Sequence, residues 1–125
     1  MLFDTDVLIW FLRGSQKAAA VIDSEDERQI SVISYMELIQ GARDRNELKM
    51  IKSFLSDFGF IMIPLTENIG HRALVYMEEY RLKTGISMAD ALLAASAVEN
   101  SLPLCSSNQK HFRHISELEL KVFRP

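Results

Sequence analysis

Short apolar runs and helix-period stretches take turns along this chain, and that alternation narrows its choice of fold more than any other feature. Five runs read as strands, at residues 1–3, 29–33, 60–64, 102–106 and 118–123. Between them lie stretches with helical spacing at residues 7–12, 17–22, 34–43, 46–58, 67–83, 88–100 and 109–115. Strands separated by helices are the pattern of βαβ units and a parallel sheet. Several of the strands are apolar at successive positions, as a sheet covered on both faces requires. The expected fold class is therefore α/β, a three-layer α/β/α arrangement around a central, mostly parallel sheet. The length of 125 residues suits one domain spanning 1–125. In such folds a ligand cleft is expected at the carboxyl ends of the strands.

Composition removes several classes of function. No apolar run approaches the ~20 residues of a membrane span, and no basic segment precedes an apolar one at the start, so neither a membrane anchor nor a signal peptide is expected. Cys105 is the only cysteine, which excludes an intrachain disulfide and a cysteine-built zinc site and suits a reducing cytoplasm. It reads as an inert core thiol. The net charge of -3 argues against a nucleic-acid partner, because phosphate binding normally leaves a basic footprint. A bound cation in an acidic cleft would reverse that local sign.

Three acids stand where such a cleft is expected. Asp4 directly follows the first strand, Glu37 lies one turn into the helix after the second, and Asp90 opens the alanine-rich helix that leads to the fourth. Three carboxylates in one pocket repel each other unless a cation is present. Hard oxygen ligands suit magnesium or manganese, and a water held by such an ion can become a nucleophile. A purely structural role is also open. Ser34 to Glu37 and Ser87 to Asp90 both fit the S-x-x-[DE] capping pattern, and Asp6 fits an N-cap for the helix at 7–12. Asp90 is followed by Leu93, Ala94, Ala97 and Val98, so it heads an apolar stripe, while Ser96, Glu99 and Asn100 mark the solvent side. A carboxylate there needs a partner, and no lysine or arginine lies within one helical turn.

Four segments carry a resemblance. They are Leu2-Phe3-Asp4-Thr5-Asp6-Val7-Leu8-Ile9, Ile33-Ser34-Tyr35-Met36-Glu37-Leu38-Ile39-Gln40-Gly41-Ala42, Met88-Ala89-Asp90-Ala91-Leu92-Leu93-Ala94-Ala95-Ser96-Ala97, and Leu102-Pro103-Leu104-Cys105-Ser106-Ser107-Asn108 followed by Phe112. In that order and spacing the chain resembles a PIN-domain ribonuclease of the VapC toxin kind. The resemblance implies cleavage of RNA with Mg2+ or Mn2+, a cognate antitoxin and a homodimer. It assigns Asp4, Glu37 and Asp90 to metal binding, Thr5 and Asp6 to organising the loop after the first strand, and Ser106 to a place beside the metal. Many members carry a further acid at the position of Asn108, of His111, or of both. Here neither is acidic, so one well-held ion is expected, with the Asn108 amide as a neutral oxygen donor.

Two other readings compete. Asp4-Thr5-Asp6 also resembles the start of haloacid-dehalogenase-type phosphatases, with Asp4 as nucleophile, but the following Gly-Thr and the late acidic pair of that family are missing. A non-enzymatic acidic module that binds a basic partner would keep its function in chelator. His111 and His114 are spaced to share a metal, although solvated side chains are the simpler reading. The segment 7–12, apolar on every side, implies deep burial or a partner surface. Arg13, Lys17, Arg43, Arg45, Lys49, Lys83, Lys110 and Arg113 are candidates for phosphate contacts.

Overall fold

A computed structural model describes residues 1–125. Its elements run β1 (Leu2–Phe3), α1 (Thr5–Leu12), α2 (Gln16–Asp23), β2 (Gln29–Ser31), α3 (Val32–Gly41), α4 (Arg45–Asp57), β3 (Ile61–Ile63), α5 (Glu67–Thr84), α6 (Met88–Glu99), β4 (Leu104–Ser106), α7 (Gln109–Phe112) and β5 (Leu120–Val122). All five strands are parallel, in the order β3-β2-β1-β4-β5. The expected three-layer architecture is present. No helix is long and apolar enough to cross a membrane.

The strand order explains the layers. From β1 to β3 the chain steps outward in one direction; from β3 it returns across the sheet to β4, on the far side of β1. Parallel crossovers are almost always right-handed, so reversing direction moves the connecting helices to the other face. The two cores follow this division. Phe3 and Cys105 pack with Val7, Leu8, Ile22 and Phe54 from α1, α2 and α4. Leu2 and Leu104 pack with Ile69, Tyr76, Leu93 and Phe112 from α5, α6 and α7. Neighbouring strand residues point to opposite faces, which is why Leu2 and Phe3 belong to different cores.

Several boundaries differ from the sequence reading. Helix α3 begins at Val32, capped by Ser31, whose hydroxyl accepts from the Ile33 amide at 3.2 Å. The β-branched Val32 and Ile33 suggest strand but form the first turn. Ser34 is therefore not a cap; it is buried inside the helix, and its hydroxyl has no partner. Helix α1 begins at Thr5 with Asp4 as its cap, so Asp6 lies in the first turn instead of capping it. Ser96 is fully buried, not on a solvent side, and its hydroxyl donates to the Leu92 carbonyl at 2.7 Å. The Ser87 cap of Asp90 is present, with a 3.0 Å bond from the Asp90 amide. Gly85 ends α5 at φ 75, a left-handed turn that suits glycine.

The all-apolar segment in α1 divides between its two readings. Val7 and Leu8 are fully buried, while Trp10 is 39% exposed. Phe11 stacks on Phe54 with ring centroids 4.6 Å apart and meets Phe58 edge-on at 5.2 Å. Most of the helix is therefore used inside the chain.

Phe3 is fully buried beneath α1, whereas Leu82 is 98% exposed on α5. Phe3→Ala should cost about 3–5 kcal/mol in chemical denaturation. Leu82→Ala should stay within about 0.5 kcal/mol of the parent. Similar losses for both would contradict the packing described.

Candidate metal centre

The strand order reverses between β1 and β4, and their connecting helices leave on opposite faces, the position at which folds of this kind form a crevice at the strands' carboxyl ends. Asp4 follows β1 and Ser106 ends β4 at that position. The Asp4 amide donates to the Cys105 carbonyl at 2.9 Å, so the β1–β4 ladder extends as far as the acid and fixes its backbone. One carboxylate oxygen, Oδ1, accepts from the Thr5 amide at 2.7 Å. The other, Oδ2, accepts from the Ser106 hydroxyl, also at 2.7 Å. Asp4 is only 8% exposed.

The remaining acids are tied to this position. The Thr5 hydroxyl donates to Glu37 Oε1 at 2.9 Å, linking α1 to the second turn of α3. Glu37 itself is exposed. Asp6 accepts from the Val7 amide through Oδ1, and through Oδ2 from both the amide and the hydroxyl of Ser107. It thereby anchors the turn after β4 to α1. Asp90 reaches in from the first turn of α6. Its Oδ2 lies 2.7 Å from His111 Nδ1 and 3.4 Å from Asn108 Nδ2.

Charge is poorly compensated here. Asp4, Asp6 and Glu37 form no ion pair, and Asp90 pairs only with His111. Burial pushes the Asp4 carboxyl up from its ordinary 3.8 to about 7, with repulsion from Asp6 and then from Asp90 adding to the rise; the Ser106 and Thr5 hydrogen bonds oppose it. Cys105, on the neighbouring strand, is pushed up to about 12, first by burial and then by Asp6 and Asp4, in keeping with an inert thiol.

The donor set is one that hard divalent cations prefer: carboxylates with hydroxyl and amide support. In this arrangement no three acid, histidine or cysteine side chains converge closely enough to ligate one ion together. Magnesium ordinarily keeps several waters and needs only one or two carboxylates from the protein, so the residues fit that ion. Asp4 and Asp90 feel each other's charge, and Glu37 is joined to Asp4 through Thr5.

Sequence reasoning missed two contacts. Asp90 finds its partner in His111, on another helix, 21 positions along the chain. The usable signal was the placement of His111 one turn after the end of β4. Ser107 was passed over for its neighbour Ser106, yet it holds Asp6. Asn108 also differs from expectation. Its Oδ1 accepts from the His111 amide at 3.4 Å, capping α7, and its nitrogen faces Asp90, so its oxygen is engaged within the protein. His114 is exposed and stands apart from the acids beside Arg113.

Beside Glu37 a groove of ≈ 630 Å³ runs between α1, α3 and α4. Ile9, Leu12, Leu38 and Met50 supply apolar walls, and Arg13 and Arg43 lie on its border.

Comparisons with known proteins bear on the family and the fold. The family model described as PIN domain matches residues 1–118. Ribonuclease VapC10 of Mycobacterium tuberculosis is 35% identical over 123 residues, covering 95% of this chain and 90% of that protein. A toxin-antitoxin complex from Klebsiella pneumoniae contains a chain of 27% identity that superposes with a TM-score of 0.78, covering 94% of this chain and 93% of its own. VapBC2 from Rickettsia felis, crystallised with a DNA fragment from its promoter, gives a TM-score of 0.83 at 18% identity over 98% of each chain, a likeness of fold alone.

A carboxyl that is easier to protonate in the folded chain than in the unfolded one stabilises the fold below its unfolded pKa. That contribution is lost as pH rises through the folded value. For Asp4 the window runs from 3.8 to about 7. Chelator-treated protein should lose on the order of a few kcal/mol across it. Asp4→Asn should remove that part of the slope. Thermal melts across the window check this; parallel curves for the parent and Asp4→Asn would contradict the raised pKa.

Proposed function

This chain belongs to the PIN-domain family, and from that premise we propose that it is a divalent-metal-dependent endoribonuclease, the toxin of a toxin–antitoxin pair. The observation that carries the metal is Asp4, a buried carboxylate at the strand switch point, with no cation beside it and two further acids repelling it. Asp4, Glu37 and Asp90 are the residues that would hold Mg2+ or Mn2+, with waters of the ion bridging to those acids too distant for direct contact. When bound, the ion supplies an activated water and stabilises charge on the phosphoryl oxygens.

The rest of the work falls to the chain itself. Ser106 and the Thr5 amide each hold one oxygen of Asp4, which keeps the carboxylate in one orientation. The Thr5 hydroxyl turns Glu37 toward the same crevice. Asp6 fixes the Ser107 turn, and with it the start of α7. The phosphodiester of an RNA strand would approach an edge that is acidic until the cation is present. This reconciles a net charge of -3 with a nucleic-acid substrate. The non-acidic Asn108 and His111 leave one well-held ion as the expectation.

A cognate antitoxin, a second copy of this chain and the RNA substrate are the partners of this reading, in a single nuclease domain working in the cytoplasm. The groove beside Glu37 lies next to the acids, where an inhibitory partner would control access. Family membership displaces the phosphatase reading of Asp4 and the non-enzymatic acidic module.

RNA cleavage should require Mg2+ or Mn2+ and stop in EDTA. Asp4→Asn, Glu37→Gln and Asp90→Asn should each reduce it to background while the fold survives. Ser106→Ala should weaken metal affinity by about 10–100-fold, as loss of a group supporting a ligand does. Undiminished cleavage in any of the three acid variants would remove that residue from the site; undiminished cleavage in EDTA would remove the metal.

A further inference from the structure

Asp90 lacks the lysine or arginine that a half-buried acid commonly recruits. Its side chain is 20% exposed, and its one close side-chain partner with an ionisable group is His111, whose side chain is 23% exposed. We infer that His111 and Asn108 form a positioning clamp on Asp90: donors from α7 and its N-cap hold its Oδ2 and leave its Oδ1 to a divalent ion. The inference rests on the metal reading above and deepens it.

The chemistry of the contact fixes its direction. An ionised carboxylate can only accept hydrogen bonds, so the 2.7 Å approach places a proton on His111 Nδ1. With that proton committed, the 2.9 Å approach of the Asn108 side-chain nitrogen to the same ring nitrogen is a contact between two donors, and the acceptor left to that nitrogen is Asp90 Oδ2, at 3.4 Å. Asp90 Oδ1 accepts from no protein donor.

The clamp is continuous with the support of Asp4. The Asn108 amide nitrogen of the backbone donates to Ser106 Oγ at 3.0 Å, and Ser106 Oγ donates to Asp4 Oδ2 at 2.7 Å. Asn108 Oδ1 in turn accepts from the His111 backbone amide at 3.4 Å. One run of hydrogen bonds thus passes from Asp4 through Ser106, Asn108 and His111 to Asp90. It spans two acids that belong to opposite layers of the fold. A capping role for Asn108 alone would not require the His111 ring to meet Asp90. The ring contact is the feature that points beyond helix capping. A carboxylate at either position would add repulsion to Asp90 in the absence of an ion; these donors hold it without that repulsion.

The test is a Mn2+ titration of the full chain by calorimetry, with manganese EPR as a second readout. His111→Ala should weaken Mn2+ binding by about 10–100-fold, with its thermal melt close to the parent's. His111→Asn, whose side-chain nitrogen stands at the reach of Nδ1, should recover much of the affinity. Asn108→Ala, removing the longer contact, should weaken binding less than His111→Ala. Equal Mn2+ affinity in parent and His111→Ala overturns the clamp while leaving the metal reading in place. A loss in His111→Ala that His111→Asn does not relieve also overturns it, since the donor would not be the cause. A parent protein that takes up no Mn2+ at millimolar concentration overturns the metal reading, and the clamp with it.

Discussion

Everything around the crevice depends on one hydrogen-bonded acid at the point where the sheet changes direction. Asp4 is held by the amide that opens α1 and by the hydroxyl that ends β4, so the same two bonds orient a carboxylate and join two crossovers. The strand order makes this possible. With β1 and β4 adjacent and their helices on opposite faces, no connection passes over the carboxyl end of either strand. The layered core then does two tasks at once. It buries Leu2 and Phe3 on opposite faces, and by doing so it sets the height and direction of the residue that follows them.

The electrostatic arrangement works against the stability of the metal-free chain. Desolvating Asp4 next to Asp6 and Asp90 favours its neutral form, while ion binding needs the charged one. A hydrophobic residue at the same place would pack without that conflict. Keeping a poorly compensated acid under a folded core is a common mark of a site whose geometry serves chemistry. The surrounding polar bonds are mostly neutral donors, from Thr5, Ser106, Ser107 and Asn108, so they orient the acids without cancelling the charge a cation would meet.

Much of this was legible in the sequence, and the failures have physical causes. The βα alternation exposed the parallel sheet, and the position of Asp4 after an apolar run placed it at a strand end. Local propensity misled at α3, where Val32 and Ile33 read as strand although tertiary packing makes them the first helical turn. Ser96 read as a solvent residue because serine is polar; its hydroxyl satisfies itself on the Leu92 carbonyl and lets the helix bury that side. The pairing of His111 with Asp90 was invisible for a different reason. A search within one helical turn finds only local partners, and this contact joins α7 to α6 across the crevice.

The two edges of the sheet are also informative. β3 and β5 are three residues each, and β3, which leaves Ile61 and Met62 on the surface, is cut off by Pro64. A short edge offers few free amides and carbonyls to a stray strand, and a proline after it cannot extend the ladder. Asp4, by contrast, follows the central strand β1, two strands away from either margin. Fraying or chance pairing at a margin therefore leaves the central ladder intact. The chain can be crowded against other proteins at those margins without the edge that carries Asp4 being rebuilt.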